Sequence, residues 1–241
     1  MKPSFRLLAA LLCAVGLLLV GCSPQGDQAA APPAAQAQDA AAAQKLDTYR
    51  QLLRIKNDEM AVTMGHTILE RYPDSAAAKE VQQSLPAIER RWKETSQKQR
   101  LAGLWLYQVA PMAGGTQSTA TIYSSQPSGN DRVRLVLRRH TAWGQSVFLY
   151  GSGHGFVCRG NCTLASTVDG KRAGVKAFAP TTGEPALMIR DDKAFIARLS
   201  KAKKITLDVT LVDGEKKQTL VYEVAGFDPA KWQGLPRHAK K

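Results

Sequence analysis

The sequence predicts an α+β protein, in which an N-terminal helical hairpin is followed by a mainly antiparallel β domain with one internal helix. Two observations carry this expectation. Residues 44–100 place apolar side chains at helical spacing with few Gly or Pro. From about Leu104 apolar and polar residues alternate, punctuated by Asp-Gly and Gly-Asn pairs. The 241 residues leave room for one domain and a smaller element, which excludes a large multidomain enzyme. With 44% hydrophobic and 22% charged residues the composition is that of a globular chain. Only the charge balance departs from the ordinary, at net +13 from 33 basic and 20 acidic residues.

The first element is an export signal. Lys2 and Arg6 precede an apolar run from Leu7 to Val20. At about 14 residues this run is shorter than the ~20 that a helix needs to cross a bilayer. It closes on Leu19-Val20-Gly21-Cys22, which resembles the lipobox of bacterial lipoproteins. That resemblance implies removal of residues 1–21 and acylation of the Cys22 thiol. Ser23 stands where an Asp would favour inner-membrane retention, so the resemblance implies an outer-membrane anchor facing the periplasm. Several acyl chains on one Cys hold firmly, because each buried CH₂ contributes about 0.8 kcal/mol.

Cys13 falls in the signal and Cys22 carries the lipid, which leaves Cys158 and Cys162. The oxidising periplasm favours a disulfide between them. Cys158-Arg159-Gly160-Asn161-Cys162 suits a tight turn joining two strand ends, since Gly160 and Asn161 both tolerate positive φ. A zinc site would need two further ligands, with His140 and His154 the nearest histidines, and no second Cys pair exists. No metal and no cofactor is expected.

Residues 22–43 comprise the lipidated Cys and an Ala/Pro/Gln-rich stretch without large apolar residues, which reads as a tether. As a flexible coil it averages roughly 25 Å end to end, with the Ala-rich end able to add some helix. Residues 44–103 form the helical segment. Leu46, Tyr49, Leu52, Leu53 and Ile55 give the first apolar face, and Asn57-Asp58 offers a break and a cap for a helix from about Glu59 to Arg71. Pro73 ends that helix, Asp74 or Ser75 caps a third from Ala76 to Arg100, and Pro86 is expected to kink or restart it. Ala61, Ile68, Tyr72-Pro73-Asp74-Ser75 and Ala76-Ala77-Ala78 together resemble a single tetratricopeptide unit. The Trp, Leu and Gly of that family's first helix are missing, and stable solenoids need about three repeats. The resemblance implies either a peptide-binding groove or a helical hairpin that packs on its neighbours.

Residues 104–235 form the β-rich domain. Arg132–Arg138, Ser146–Tyr150, Ala186–Ile189, Ile205–Leu211 and Leu220–Val224 read as strands, with Asp169-Gly170 and Asp213-Gly214 as turns. Asp191 or Asp192 caps a helix that puts Phe195, Ile196 and Leu199 on one face. Sheet on sheet, or a sheet covered by that helix, would bury the alternating face. The Cys158–Cys162 turn, the Asp169 turn and the closing Val224-Ala225-Gly226-Phe227 loosely resemble small periplasmic domains of the type VI secretion accessory and invasion-associated locus B kind. That resemblance implies a β-rich periplasmic fold and no catalytic residues.

Ser152 in Gly151-Ser152-Gly153-His154-Gly155 looks like a nucleophile loop, but the Gly-x-Ser-x-Gly order fails and a strand resumes at Phe156-Val157. No H-E-x-x-H, phosphate loop or paired carboxylates in a recognisable setting appear, so no enzyme and no catalytic residue is expected. The charge is what remains. Residues 101–241 carry +10, from 20 basic and 10 acidic residues, and 236–241 form a basic tail. Arg134 and Arg138 project from one strand face, His140 extends the row, and Trp143 adds an aromatic surface nearby. These four are the candidate binding residues, although a merely solvated basic face is the other reading of the same row. Nucleic acid is not an expected partner in the periplasm. The expectation is a non-enzymatic outer-membrane lipoprotein that binds or scaffolds an envelope protein or acidic envelope component. The alternative is an immunity or inhibitor lipoprotein that neutralises a secreted toxin or wall-degrading enzyme.

Overall fold

The computed structural model describes residues 33–151 and 153–235. The expected export signal, Cys22, Ser152 and the tail 236–241 lie outside the described residues. Among the described residues the fold is α+β: three helices come first, then a nine-stranded antiparallel sheet with a fourth helix inserted before its last two strands. Among the described residues, no helix is long and apolar enough to cross a membrane.

Helix α1 runs Pro33–Arg54 and so opens inside the stretch expected to be a tether. Pro33 starts it, where a missing N–H costs nothing, and the alanines that follow are the strongest helix formers. Ala42 is 1% exposed and packs with Leu46, Tyr49 and Leu52, so the helical core reaches upstream of residue 44. Ile55, expected on this apolar face, falls beyond the end of the helix and is 70% exposed.

Asn57 caps α2 (Asp58–Arg71), its side chain accepting the Met60 N–H at 3.2 Å. Ser75 caps α3 (Ala76–Gly103), accepting from Ala78 at 3.1 Å. Pro86 neither ends nor restarts α3, which continues through it. Gly65 sits inside α2, buried, because a Cβ there would meet Leu85 Cδ1 of α3 at 2.8 Å. The missing side chain leaves room for Leu85 and Val81 of α3 to pack against the α2 backbone.

The sheet comprises β1 (Trp105–Met112), β2 (Gly115–Tyr123), β3 (Arg134–His140), β4 (Gly144–Tyr150), β5 (Asn161–Val168), β6 (Lys171–Phe178), β7 (Ala186–Ile189), β8 (Ile205–Thr210) and β9 (Lys217–Tyr222). Its spatial order is β1-β2-β3-β4-β7-β6-β5-β8-β9. It is one sheet curled toward closure, not two sheets stacked. Past the end of β2, the Ser125 N–H donates to the Val221 carbonyl at 2.7 Å, and the Val221 N–H donates to Gln126 at 3.0 Å. The last strand therefore meets the continuation of the second. Leu135, Leu137, Leu149, Leu187, Leu207 and Leu220 fill the enclosed side, and helix α4 (Asp192–Leu199) lays Phe195 and Leu199 onto them.

Asp169 and Gly170 take positive φ in the tight β5–β6 turn, as their sequence suggests. Asp213-Gly214 instead belongs to a short 3₁₀ turn, Asp213–Glu215, between β8 and β9. Cys158 and Cys162 are disulfide-bonded, with Cα atoms 5.7 Å apart, but they do not close a hairpin. Phe156 bridges Leu211 just past β8, and the Val157 N–H donates to Thr210 at 2.8 Å. Further along, Ser166 of β5 pairs with Leu207 of β8. The five-residue loop is an excursion between two segments that both pair along β8.

The two parts meet where α3 runs into β1. Arg100 grips Glu223 through two hydrogen bonds of 2.9 and 3.0 Å. Gly226, in the 3₁₀ turn Val224–Gly226, lies so close to the Leu101 backbone that no side chain fits there.

Candidate functional site

The alternation of β3 decides which side chains face outward. Leu135 and Leu137 point into the core at 0% exposure, so Arg134, Val136 and Arg138 share the opposite face. The register sets Arg134 beside Tyr150, Val136 beside Phe148, and Arg138 beside Ser146 on β4. On the other flank Thr121 lies beside Val136 and Thr119 beside Arg138. With Gln108 and Met112 of β1 on one wall and Met188 of β7 on the other, these residues line a groove of about 470 Å³.

Both arginines rest on aromatic rings. The Arg134 guanidinium lies 4.7 Å from the Tyr150 ring centre. Arg138 lies 5.0 Å from Phe148 and 5.3 Å from Trp143, and its Nε donates to Ser146 Oγ at 3.1 Å. No Asp or Glu forms an ion pair with either guanidinium among the described residues. Burial pushes the Arg138 pKa below its ordinary value, while the charge of Glu184 at the groove rim pulls the other way. A cation held partly out of water without a counter-ion is poised to accept an anion.

His140 shares the pleat of this row but does not line the groove. It is 3% exposed, its Nδ1 accepts the N–H groups of Ala142 and Trp143 at 3.1 and 3.2 Å, and its ring stacks on Trp143 at 3.8 Å. It builds the β3–β4 turn, and that turn presents Trp143, 53% exposed, beside Arg138. Arg134 and Arg138 thus share the groove, Trp143 stands beside Arg138, and His140 supports Trp143.

The other basic residues separate. Arg139 follows Arg138 in sequence and points the opposite way, 3.7 Å from the Trp232 ring, with a 2.7 Å bond to the Trp232 carbonyl. Arg132 covers Tyr123 at 4.8 Å. The neutral groove residues Gln108, Gln117, Thr119 and Thr121 escaped the sequence reading. Their period-two spacing was the available signal, but nothing in β1 or β2 marks one face as functional.

His154 Nδ1 contacts Asp213 Oδ1 directly, a pairing across 59 residues that the sequence did not suggest. The hydrogen bond from His154 holds the Asp213 carboxyl below its usual range. Both side chains are exposed, and Ser152 lies outside the described residues. Cys158 and Cys162 are bonded to one another, and no group of three or more His, Cys, Asp or Glu is arranged to hold a metal among the described residues. No protein-family model, curated protein or solved structure gives a significant match to this chain.

Proposed function

We propose that this chain is a non-enzymatic lipoprotein, anchored in the outer membrane through Cys22, whose β domain binds an envelope partner in the periplasm. The observation that carries the binding role is the pair of guanidiniums on the groove floor, backed by aromatic rings and in no ion pair among the described residues. An intramolecular ion pair would be the ordinary fate of a half-buried arginine, and its absence here favours an anionic group supplied from outside. The sequence supports the anchor through Lys2, Arg6, the apolar run and Leu19-Val20-Gly21-Cys22. The helices α1–α3, read as a single tetratricopeptide-like unit, act as a spacer between anchor and groove. Their docking through Arg100 and Gly226 supports packing over peptide binding.

Hydrogen exchange tests this reading. The purified full-length chain is mixed with outer-membrane and cell-wall fractions of its own host. Slowed exchange concentrated in Gln117–Thr121 and Arg134–Arg138, and abolished in an R134E/R138E variant, is the expected result. Unchanged exchange across the sheet would count against a binding role for this face.

A further inference from the structure

The side chains of the groove specify a ligand more narrowly than their charge does. We propose that the groove binds an acidic saccharide, a hydroxyl-rich chain bearing carboxylates on only some of its rings. The inference rests on the binding role proposed above and names the ligand class.

Arg134 and Arg138 stand four residues apart on one strand, about 13 Å by strand rise. Each guanidinium carbon lies over a ring, Arg138 Nε is bonded to Ser146, and neither guanidinium has an acidic partner among the described residues, so their terminal N–H groups suit a carboxylate. Two separated cations, not a continuous basic strip, suit charges spaced along a chain. Glu184 at the rim repels an anion placed there, which disfavours a polymer charged at every unit. Apart from Glu184, the lining beside and beyond the arginines is neutral. Thr119, Thr121, Gln108 and Gln117 offer hydroxyls and amides that both donate and accept, as sugar hydroxyls do. Val136 and Met188 supply apolar contact for the C–H face of a ring.

The topology argues against an extended peptide. β2, β3 and β4 are each paired on both sides, so a peptide cannot add to the floor as another strand. Recognition there falls to side chains. The volume of about 470 Å³ lies within the range of roughly 300–1,000 Å³ common for small-ligand sites.

Titration calorimetry on the full-length chain in non-ionic detergent tests the assignment. The probes are a hyaluronan octasaccharide, with carboxylates on alternate rings, a neutral chitin hexamer, and poly-L-glutamate at equal carboxylate concentration. The hyaluronan oligomer should bind at one site. Arg138→Gln and, separately, Arg134→Gln should each weaken it about tenfold. Arg198→Gln, on the exposed face of α4, should leave it unchanged. The neutral oligomer and the polypeptide should each bind about tenfold more weakly or worse. Equal binding of poly-L-glutamate, equal binding of the neutral oligomer, or indifference to both arginine variants would overturn the proposal. If the envelope fractions still protect this groove while no saccharide binds, the ligand class fails and the binding role stands. If protection is absent as well, both fail.

Discussion

Arg138, Arg139 and His140 are consecutive, and the pleat gives each a different task. Arg138 faces the groove, Arg139 turns inward to Trp232, and His140 is roofed by Trp143. The alternation that separates Arg138 from Arg139 was legible in the sequence. The burial of His140 was not, because it depends on a turn three residues away folding back over the ring. Replacing His140 with Ala removes the acceptor for two N–H groups, so urea unfolding should show a loss of about 1–3 kcal/mol. The indole fluorescence of Trp143 should shift as its stacking partner disappears. The Cys158–Cys162 loop is short, so the C158S/C162S pair should cost only about 2 kcal/mol, read as a lower thermal midpoint that reductant no longer changes.

Among the elements, the helices and the last strands were readable because each declares itself locally. Asn57 and Ser75 cap as their chemistry dictates, and Asp169-Gly170 turns. Three features were not local. α1 extends back to Pro33 because Ala42 finds a place in the helical core. Pro86 is absorbed by α3, whose neighbouring turns are held by Val81, Leu85 and Ile88 against the other helices. The sheet closes through Ser125 and Gln126, contacts that no periodicity announces.

The seam between α3 and the 3₁₀ turn after β9 makes two predictions. Gly226→Ala would drive a Cβ into the Leu101 carbonyl, which cannot swing aside as a side chain could. It should destabilise the protein by about 1–3 kcal/mol and speed proteolysis at the end of α3. The second concerns pH. The hydrogen bond from Arg100 holds the Glu223 carboxyl below its ordinary value. Its folded pKa is therefore depressed, and the clasp contributes fully above the unfolded-state value of about 4.3. That contribution is lost as pH falls through the lower folded value. Protection against hydrogen exchange at Gln97–Leu101, taken relative to the intrinsic rate at each pH, should fall over that acidic interval in the native protein, and Glu223→Gln should show the lower protection already at neutral pH.

For the whole molecule, the sequence localises the charge better than it assigns a target. Residues 101–241 hold +10, yet among the described residues only Arg134 and Arg138 combine that charge with a concave, aromatic-backed surface. Which cations would meet in space depended on sheet order, since the chain skips two strand positions between β4 and β5 and then folds back through β6 to set β7 against β4. If the lipobox reading holds, Cys22→Ser should move the protein from the membrane pellet to the soluble fraction without changing its thermal unfolding. The anchor and the groove would then be separable by mutation.

In-cell photo-crosslinking asks most directly whether the groove is occupied where the protein works. With benzoylphenylalanine at Gln117, on the groove wall, ultraviolet light should convert part of the membrane-bound chain into a heavier adduct. R134E/R138E should abolish that adduct, and the same probe at Lys201, an exposed residue just after α4 that does not line the groove, should yield none. A folded, membrane-bound chain that forms no adduct from Gln117, or forms one equally from Lys201, would contradict the account.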